Sequence, residues 1–282
     1  MHDKNVSKLR VLLIGDIVGV PGRAMFQKHI KQLKADYAID AVIVNGENCA
    51  SDGRGITPRI MKFFRHNSVD IVTSGNHIFQ KKDIYPYLAE HRDLLRPINF
   101  PSACPGSGVT TFTVGAHTIG VMNIQGRVFM RELVGCPFRA AESALTFLKS
   151  RTNIILVDMH AETTSEKTGL AWFLDGKVSA VVGTHTHVQT ADERIFPDGT
   201  AFISDLGMTG PLNSMIGMKK EGILHNMLTQ MPVKFEVETH GPMILCGVWI
   251  EIDTVSGKAL RIERVRVIDH EVKSDSPELA DK

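Results

Sequence analysis

The segment VVGTHTHVQTAD (181–192) places His185 and His187 one residue apart, directly behind an apolar run and a glycine. In extended backbone, residues i and i+2 share a face, so a strand end of this kind would aim both imidazoles at one point. Taken alone, the pair favours a surface loop or hydrogen-bonded core histidines, because most histidine pairs in a chain of this size are not ligands. Four other apolar runs favour the metal-ligand reading. LRVLLIGD (9–16) ends in Asp16, DAVIVNGEN (40–48) in Glu47 and Asn48, VDIVTSGNH (69–77) in Asn76 and His77, and NIILVDMH (153–160) in His160. Five runs therefore end in side chains able to hold a metal or move a proton. Chance would scatter such residues among helices and hairpin turns as often.

Two carboxylates, three histidines and one or two carboxamides, with no cysteine, exceed the needs of one metal ion. They suit two ions bridged by a shared carboxylate. Mixed imidazole and oxygen ligation fits iron, manganese or zinc and argues against a thiolate site. Two ions roughly 3.5–4 Å apart lower the pKa of a bridging water and stabilise in-line displacement at phosphorus. Dinuclear aminopeptidases use similar ligands, so this donor set alone leaves the substrate open.

The elements that must position these residues read as follows. The five runs, with TAFISDLG (200–207), are short and continuously apolar, as strands buried on both faces are. Segments 22–35 and 58–67 between the early runs have helical texture, and the second opens with Thr57 and Pro58, a cap and first-turn pair. Alternation of strand and helix predicts a mostly parallel sheet with helical layers. Residues 108–124 read as a hairpin turning near Gly115 and Ala116. KFEVET (234–239), MILCGVWIEID (243–253) and ALRIERVRVI (259–268) read as an antiparallel set, and the polar tail from about 269 to 282 as frayed. No repeat or linker divides the 282 residues, which predicts one domain over 1–282.

Composition narrows the function classes. With 32 Lys+Arg against 31 Asp+Glu, the net charge of +1 gives no broad surface for nucleic acid or anionic membrane, while leaving room for a pocket that takes one nucleotide. The early run VLLIG is stopped by Asp16 without a cleavage site, and no stretch approaches a membrane span. The four cysteines, Cys49, Cys104, Cys136 and Cys246, have neither zinc-knuckle nor disulfide spacing. The expectation is a reduced, cytoplasmic protein with no membrane partner.

SGNH and GTHTH resemble the GNH and GHxH blocks of the calcineurin-like metallophosphoesterases. The chain departs from that superfamily's D-x-H block, with Val18 where the histidine would stand in GDIVG, and has NGEN in place of G-D-x-x-D. Both departures resemble the YmdB-like bacterial subfamily. The resemblance extends through LLIGDIVGVPGR, NGENCASDGRGIT, LLRP, QGRVFM, DMHAETTSEK and GTHTHVQTADERIFPDGTAFISDLGMTGP, most of the chain up to about Met218.

The resemblance implies an α/β sandwich of two mixed sheets flanked by helices, with a dinuclear metal site at the C-terminal strand ends. It implies that Asp16, Glu47 and His187 hold one metal and Asn76, His160 and His185 the second, with Glu47 bridging. Asn48 would sit at the first metal or the phosphate. His77 would be the general acid. The implied cofactors are two divalent or trivalent transition-metal ions, iron first, then manganese or zinc. The implied reaction is hydrolysis of cyclic nucleotides, 2′,3′-cyclic and also 3′,5′-cyclic, by attack of a metal-bridging hydroxide. RNA 2′,3′-cyclic ends and homo-oligomers are further implied partners.

A phosphomonoesterase or nucleotidase would use the same centre. A regulatory scaffold for RNA-processing partners is the reading from another class. His77 can be read instead as a residue that only holds its neighbours. Asp158 and Glu162 flank His160 as outer carboxylates; strand alternation favours Asp158, and helix capping accounts for Glu162 and the following SEK. Relatives of this type continue the GNH block with a tryptophan and an acid. Here Phe79 and Gln80 follow, which leaves Asp83 to supply the missing support.

Overall fold

The computed structural model describes residues 7–272 and Leu279. Its first sheet contains β1 (Lys8–Ile14), β2 (Asp16–Ile17), β3 (Ala41–Asn45), β4 (Ile71–Thr73), β11 (Met208–Pro211), β12 (Met243–Asp253) and β13 (Ala259–Asp269). The strand order is β2-β11-β12-β1-β3-β4, with β13 on the other edge of β12. β1, β3 and β4 run parallel, whereas β12 is antiparallel to β1, β11 and β13. The second sheet contains β5 (Val109–Val114), β6 (His117–Gln125), β7 (Ile154–His160), β8 (Ala180–Thr184), β9 (Arg194–Ile195) and β10 (Ala201–Ile203), in the order β5-β6-β7-β8-β10-β9. Its centre is parallel, with antiparallel strands at each edge.

The apolar runs are continuous because both faces of these strands are covered. Leu9, Val11 and Leu13 point into a layer shared with Val121, Leu156 and Val182 of the second sheet. Their neighbours Leu12 and Ile14 pack on the opposite face beside Phe26, Ile60 and Phe64, from α1 (Gly19–Asp36) and α2 (Pro58–His66). The second sheet likewise covers its outer face with α4 (Pro137–Lys149) and α5 (Thr164–Leu174), through Leu145, Leu148 and Leu170. Each fully buried aliphatic side chain contributes roughly 1.5–3 kcal/mol relative to exposure. This sandwich, helix–sheet–sheet–helix, is the expected fold class. Four helices, α3 (Ile84–Glu90), α4, α5 and α6 (Lys220–Thr229), lie outside the two segments, 22–35 and 58–67, read as helical from sequence.

Local chemistry accounts for most boundaries. Thr57 Oγ1 caps α2 by accepting from the Ile60 N–H at 3.4 Å, with Pro58 in the first turn as expected. The hairpin of β5 and β6 turns at Gly115, whose φ of +56° favours glycine. One expected strand does not form. Residues 234–239 contribute a lone bridge, Val237 to Met218, rather than a strand. Both edges of β12 are already taken, by β1 and β11 on one side and β13 on the other, and only Val237 of the segment is buried. The polar tail begins at Asp269, the last residue of β13, and most of the rest lies outside the described residues.

Candidate active site

The strands of both sheets bring their C-terminal ends to one rim. Asp16 opens β2 directly after Gly15, Glu47 follows β3 by two residues, and Asn76 and His77 follow β4. His160 is the last residue of β7, and His185 is the first beyond β8. Gly75 makes the closest approach. A Cβ there would lie 2.1 Å from His160 Cδ2 and 2.3 Å from Glu47 Oε2, so the GNH segment passes against the other side chains only as glycine.

His160, His185 and Glu47 offer ligand atoms that lie within 4.8 Å of one another. His160 Nε2 is 3.0 Å from Asn76 Oδ1, 3.2 Å from Glu47 Oε1 and 3.1 Å from His185 Nδ1. The opposite ring nitrogens fix what these atoms carry. His160 Nδ1 lies 2.9 Å from Thr184 Oγ1, whose own hydrogen goes to Asp158 Oδ1 at 2.7 Å, so Nδ1 carries the proton of a neutral ring. His185 Nε2 faces Glu162 Oε2 at 3.1 Å, and His187 Nδ1 faces the Ile216 carbonyl at 2.8 Å. In the neutral form that binds a metal, all three rings would therefore turn a lone pair inward. Lone pairs of His160, His185, Asn76 and Glu47 crowd one point, which calls for a positive charge there.

The residues expected at the first metal show the same demand. Asp16 Oδ2 accepts from the His185 N–H at 3.1 Å, while Oδ1 is buried without a hydrogen-bond partner, 3.8 Å from His187 Nε2. Asn48 donates to the Gly53 carbonyl at 3.0 Å and leaves Oδ1 buried and unpaired. Orphaned buried acceptors are costly unless something supplies charge. The donor set present therefore fits cations. His77 completes the rim: Nδ1 is 3.2 Å from Asn48 Nδ2 and 3.4 Å from Glu47 Oε1, and its N–H donates to Glu47 Oε2 at 3.2 Å. Its side chain is 24% exposed, so the ring is reachable from solvent.

Among protein groups alone, a proton offsets Glu47. Burial works against the Glu47 carboxylate, yet His160 and His77 outweigh it and hold the acid well below the usual range. Burial likewise opposes charge on His160, but Glu47 raises it to about 9. Burial and the neighbouring His160 push His185 down to about 3, which keeps its lone pair available. Burial lifts Asp16 to about 6 despite the pull of His187 and His160.

The sequence model of the YmdB-like proteins matches residues 12–265. The chain belongs to the YmdB-like family. The Bacillus subtilis (strain 168) protein named 2′,3′-cyclic-nucleotide 2′-phosphodiesterase is 44% identical over 261 residues, covering 93% of this chain and 98% of that one. A crystal structure of a phosphatase from Mycoplasma pneumoniae superposes with a TM-score of 0.88 at 33% identity, over 94% of this chain and 95% of that one. A hypothetical protein from Thermus thermophilus superposes with a TM-score of 0.86 at 36% identity, over 93% and 100% of the two chains.

In this YmdB-like chain the histidine pair does not work by strand alternation. His185 and His187 have φ of +101° and +66°, so both lie in a turn beyond β8 rather than in extended backbone. Outer partners also differ from expectation. Asp158 reaches His160 only through Thr184, and also accepts from Asn45 at 3.0 Å and from Thr73. Glu162 touches His185 directly instead of capping α5. Glu166, read as part of a helix start, accepts the N–H groups of Arg127 at 2.9 Å and Val128 at 3.2 Å. Thr184, Asn45 and Thr73 escaped the sequence reading because each looks like an ordinary strand-end residue. Phe79 packs edge-on against Tyr85 and Phe100, both at 5.6 Å between centroids. Asp83 is exposed at the start of α3, without a side-chain capping bond, and does not brace this segment. No helix among the described residues is long and apolar enough to cross a membrane.

Proposed function

We propose that the chain is a metal-dependent phosphodiesterase that opens 2′,3′-cyclic nucleotides. The observation that carries this reading is the set of ring nitrogens turned toward Glu47 and Asp16, each fixed by a partner on the far side of its ring, beside the solvent-facing His77. The name of the Bacillus subtilis relative supports the substrate class. Asp16, Glu47 and His187 would hold one ion, and Asn76, His160 and His185 the other, with Glu47 shared. When bound, such ions neutralise phosphate charge and lower the pKa of water between them. Iron is the first choice of metal, with manganese or zinc as substitutes.

The protein's own groups supply the remaining chemistry. His77 Nδ1 lies 3.4 Å from Glu47 Oε1 and 3.2 Å from Asn48 Nδ2, so the protonated ring would direct Nδ1–H to the carboxylate and hand over the proton on Nε2. Attack of water oxygen at phosphorus breaks the bond to the 2′ oxygen, and that alkoxide leaves poorly until protonated. A histidine can donate that proton at physiological pH. The Asn48 amide, at the edge of the ligand set, orients the ring and the phosphate. The same step would open RNA 2′,3′-cyclic ends, and on 3′,5′-cyclic nucleotides the corresponding attack would break the bond to the 3′ or the 5′ oxygen, which His77 would protonate as it leaves. We place the protein in the cytoplasm, where its four free cysteines suit reducing conditions, and read it as self-associating.

Turnover of 2′,3′-cyclic nucleotide, bis-p-nitrophenyl phosphate and p-nitrophenyl phosphate by the metal-loaded protein tests the reading. The two diesters should be hydrolysed faster than the monoester. Exclusive monoester turnover would sink the phosphodiesterase assignment.

A further inference from the structure

Lys167 and Asp205 form a buried ion pair that the chemistry above does not use. Their charged atoms are 2.8 Å apart, and their side chains are 1% and 2% exposed. Two charges taken out of water gain little net stability unless other hydrogen bonds complete the carboxylate's shell, so such a pair is better suited to fixing geometry than to raising stability.

The hydrogen bonds of Asp205 show what is fixed. Its Oδ2 accepts from Lys167 Nζ at 2.8 Å, from the Thr186 N–H at 3.1 Å and from the Thr186 hydroxyl at 2.8 Å. Thr186 is the residue between His185 and His187, both of which hold positive φ that side-chain-bearing residues rarely adopt. A turn of that kind persists only where its surroundings over-determine it. Asp205 Oδ1 accepts from the Gly207 N–H at 2.8 Å. The Gly207 carbonyl oxygen in turn packs so close to Gly15 that a Cβ there would come within 1.9 Å of it. Gly15 precedes Asp16, so one carboxylate braces both arms that meet at Asp16 Oδ1 and His187 Nε2.

Lys167 aims the carboxylate. It reaches across from α5 beneath Gly183, where a Cβ would lie 2.8 Å from Lys167 Cδ. We propose that Lys167 and Asp205 are positioning residues that hold the His185–Thr186–His187 turn in its ligating shape. The inference rests on reading this site as a metal centre. Neither residue touches the reacting atoms. Their effect is transmitted through Thr186 and Gly207.

The test is calorimetric titration of Mn²⁺ into the chelator-treated full chain, with thermal melts of the same metal-free samples. Thr186→Val removes one of the bonds to Asp205 while keeping shape and leaving both histidines. Lys167→Met removes the ammonium that aims it. Partners of metal-ligating side chains typically change metal affinity by roughly 10–100-fold when removed. The expected result is Mn²⁺ affinity weakened about 10-fold in Thr186→Val with an unchanged melting temperature, and weakened further in Lys167→Met. A purely structural role would lower the melting temperature and leave the affinity alone. Should Lys167→Met fail to fold, Thr186→Val decides by itself. Wild-type affinity in Thr186→Val overturns the positioning role while leaving the metal centre standing. Failure of the wild type to bind Mn²⁺ overturns the metal-centre reading and this inference with it.

Discussion

The hydroxyl of Thr184 lies 2.9 Å from His160 Nδ1 and passes its own hydrogen to Asp158 at 2.7 Å. The bond directions run one way: the ring donates, threonine relays, the carboxylate accepts. His160 Nε2 is thus the nitrogen that faces Glu47 and Asn76, and it offers a lone pair when the ring is neutral. Thr184→Val keeps the shape of the side chain and removes the acceptor. The ring would then lose its tautomer preference, and the expected outcome is a roughly 10–100-fold loss of metal affinity. Titration with Mn²⁺ checks it; an unchanged affinity would show that the ring is oriented by its inner contacts alone.

Gly75 offers a steric test of the same cluster. A methyl group there would stand 2.1 Å from His160 Cδ2, 2.2 Å from His160 Nε2 and 2.3 Å from Glu47 Oε2. Neither neighbour can retreat, since His160 is fully buried and Glu47 nearly so. Gly75→Ala should fold, because the clash is confined to the rim, yet lose its metals and its activity. Metal content of the purified variant by mass spectrometry is the measurement. A full complement of ions would refute the placement of Glu47 and His160 as joint ligands.

His77 can be tested by the quality of the leaving group. If its role is to protonate the departing oxygen, His77→Ala should lower turnover of a 2′,3′-cyclic nucleotide by about 10²–10⁴-fold. p-Nitrophenolate leaves without help, so hydrolysis of bis-p-nitrophenyl phosphate should fall much less. Metal content should stay at the wild-type level. Equal losses on both substrates would assign His77 to holding Asn48 and Glu47 instead.

Much of this site is legible in the sequence because the candidate ligands stand at the ends of apolar runs, and short continuous runs of this kind suit strands buried on both faces. Asp16, Glu47, Asn76 and His160 converge for that reason. His185 and His187 converge for another. The turn that carries them depends on Asp205, 19 residues beyond Thr186, and on Lys167 from a helix, and periodicity carries no trace of such long-range hydrogen bonds. Segment 234–239 misleads in the opposite sense: its Phe235 and Val237 alternate like a strand, but both edges of β12, its expected partner, are already taken by β1, β11 and β13. Thr184 and Asn45 are invisible as functional residues until the ring nitrogen they serve is located.

Asp269 gives a prediction about pH that is independent of the metal site. It ends β13 and lies 2.7 Å from both Lys28 Nζ and His29 Nε2 of α1, tying that helix to the sheet. The Lys28 hydrogen bond, against the opposing effect of burial, holds the carboxyl down to about 2 from its ordinary 3.8, with the Glu271 N–H and His29 assisting. A carboxyl depressed in the folded state binds fewer protons there than in the unfolded chain. Its contribution is therefore present above about pH 4 and is lost as pH falls through about 2. Asp269→Asn should be less stable than wild type at pH 5 and 6 by a constant margin, and that margin should close between about pH 4 and pH 2. Because Lys28 is 43% exposed, the margin should also shrink in molar salt. Urea melts across this range, at low and high salt, provide the check. A margin that stays constant down to about pH 2 would mean that the Asp269 carboxylate is not what holds α1 against β13.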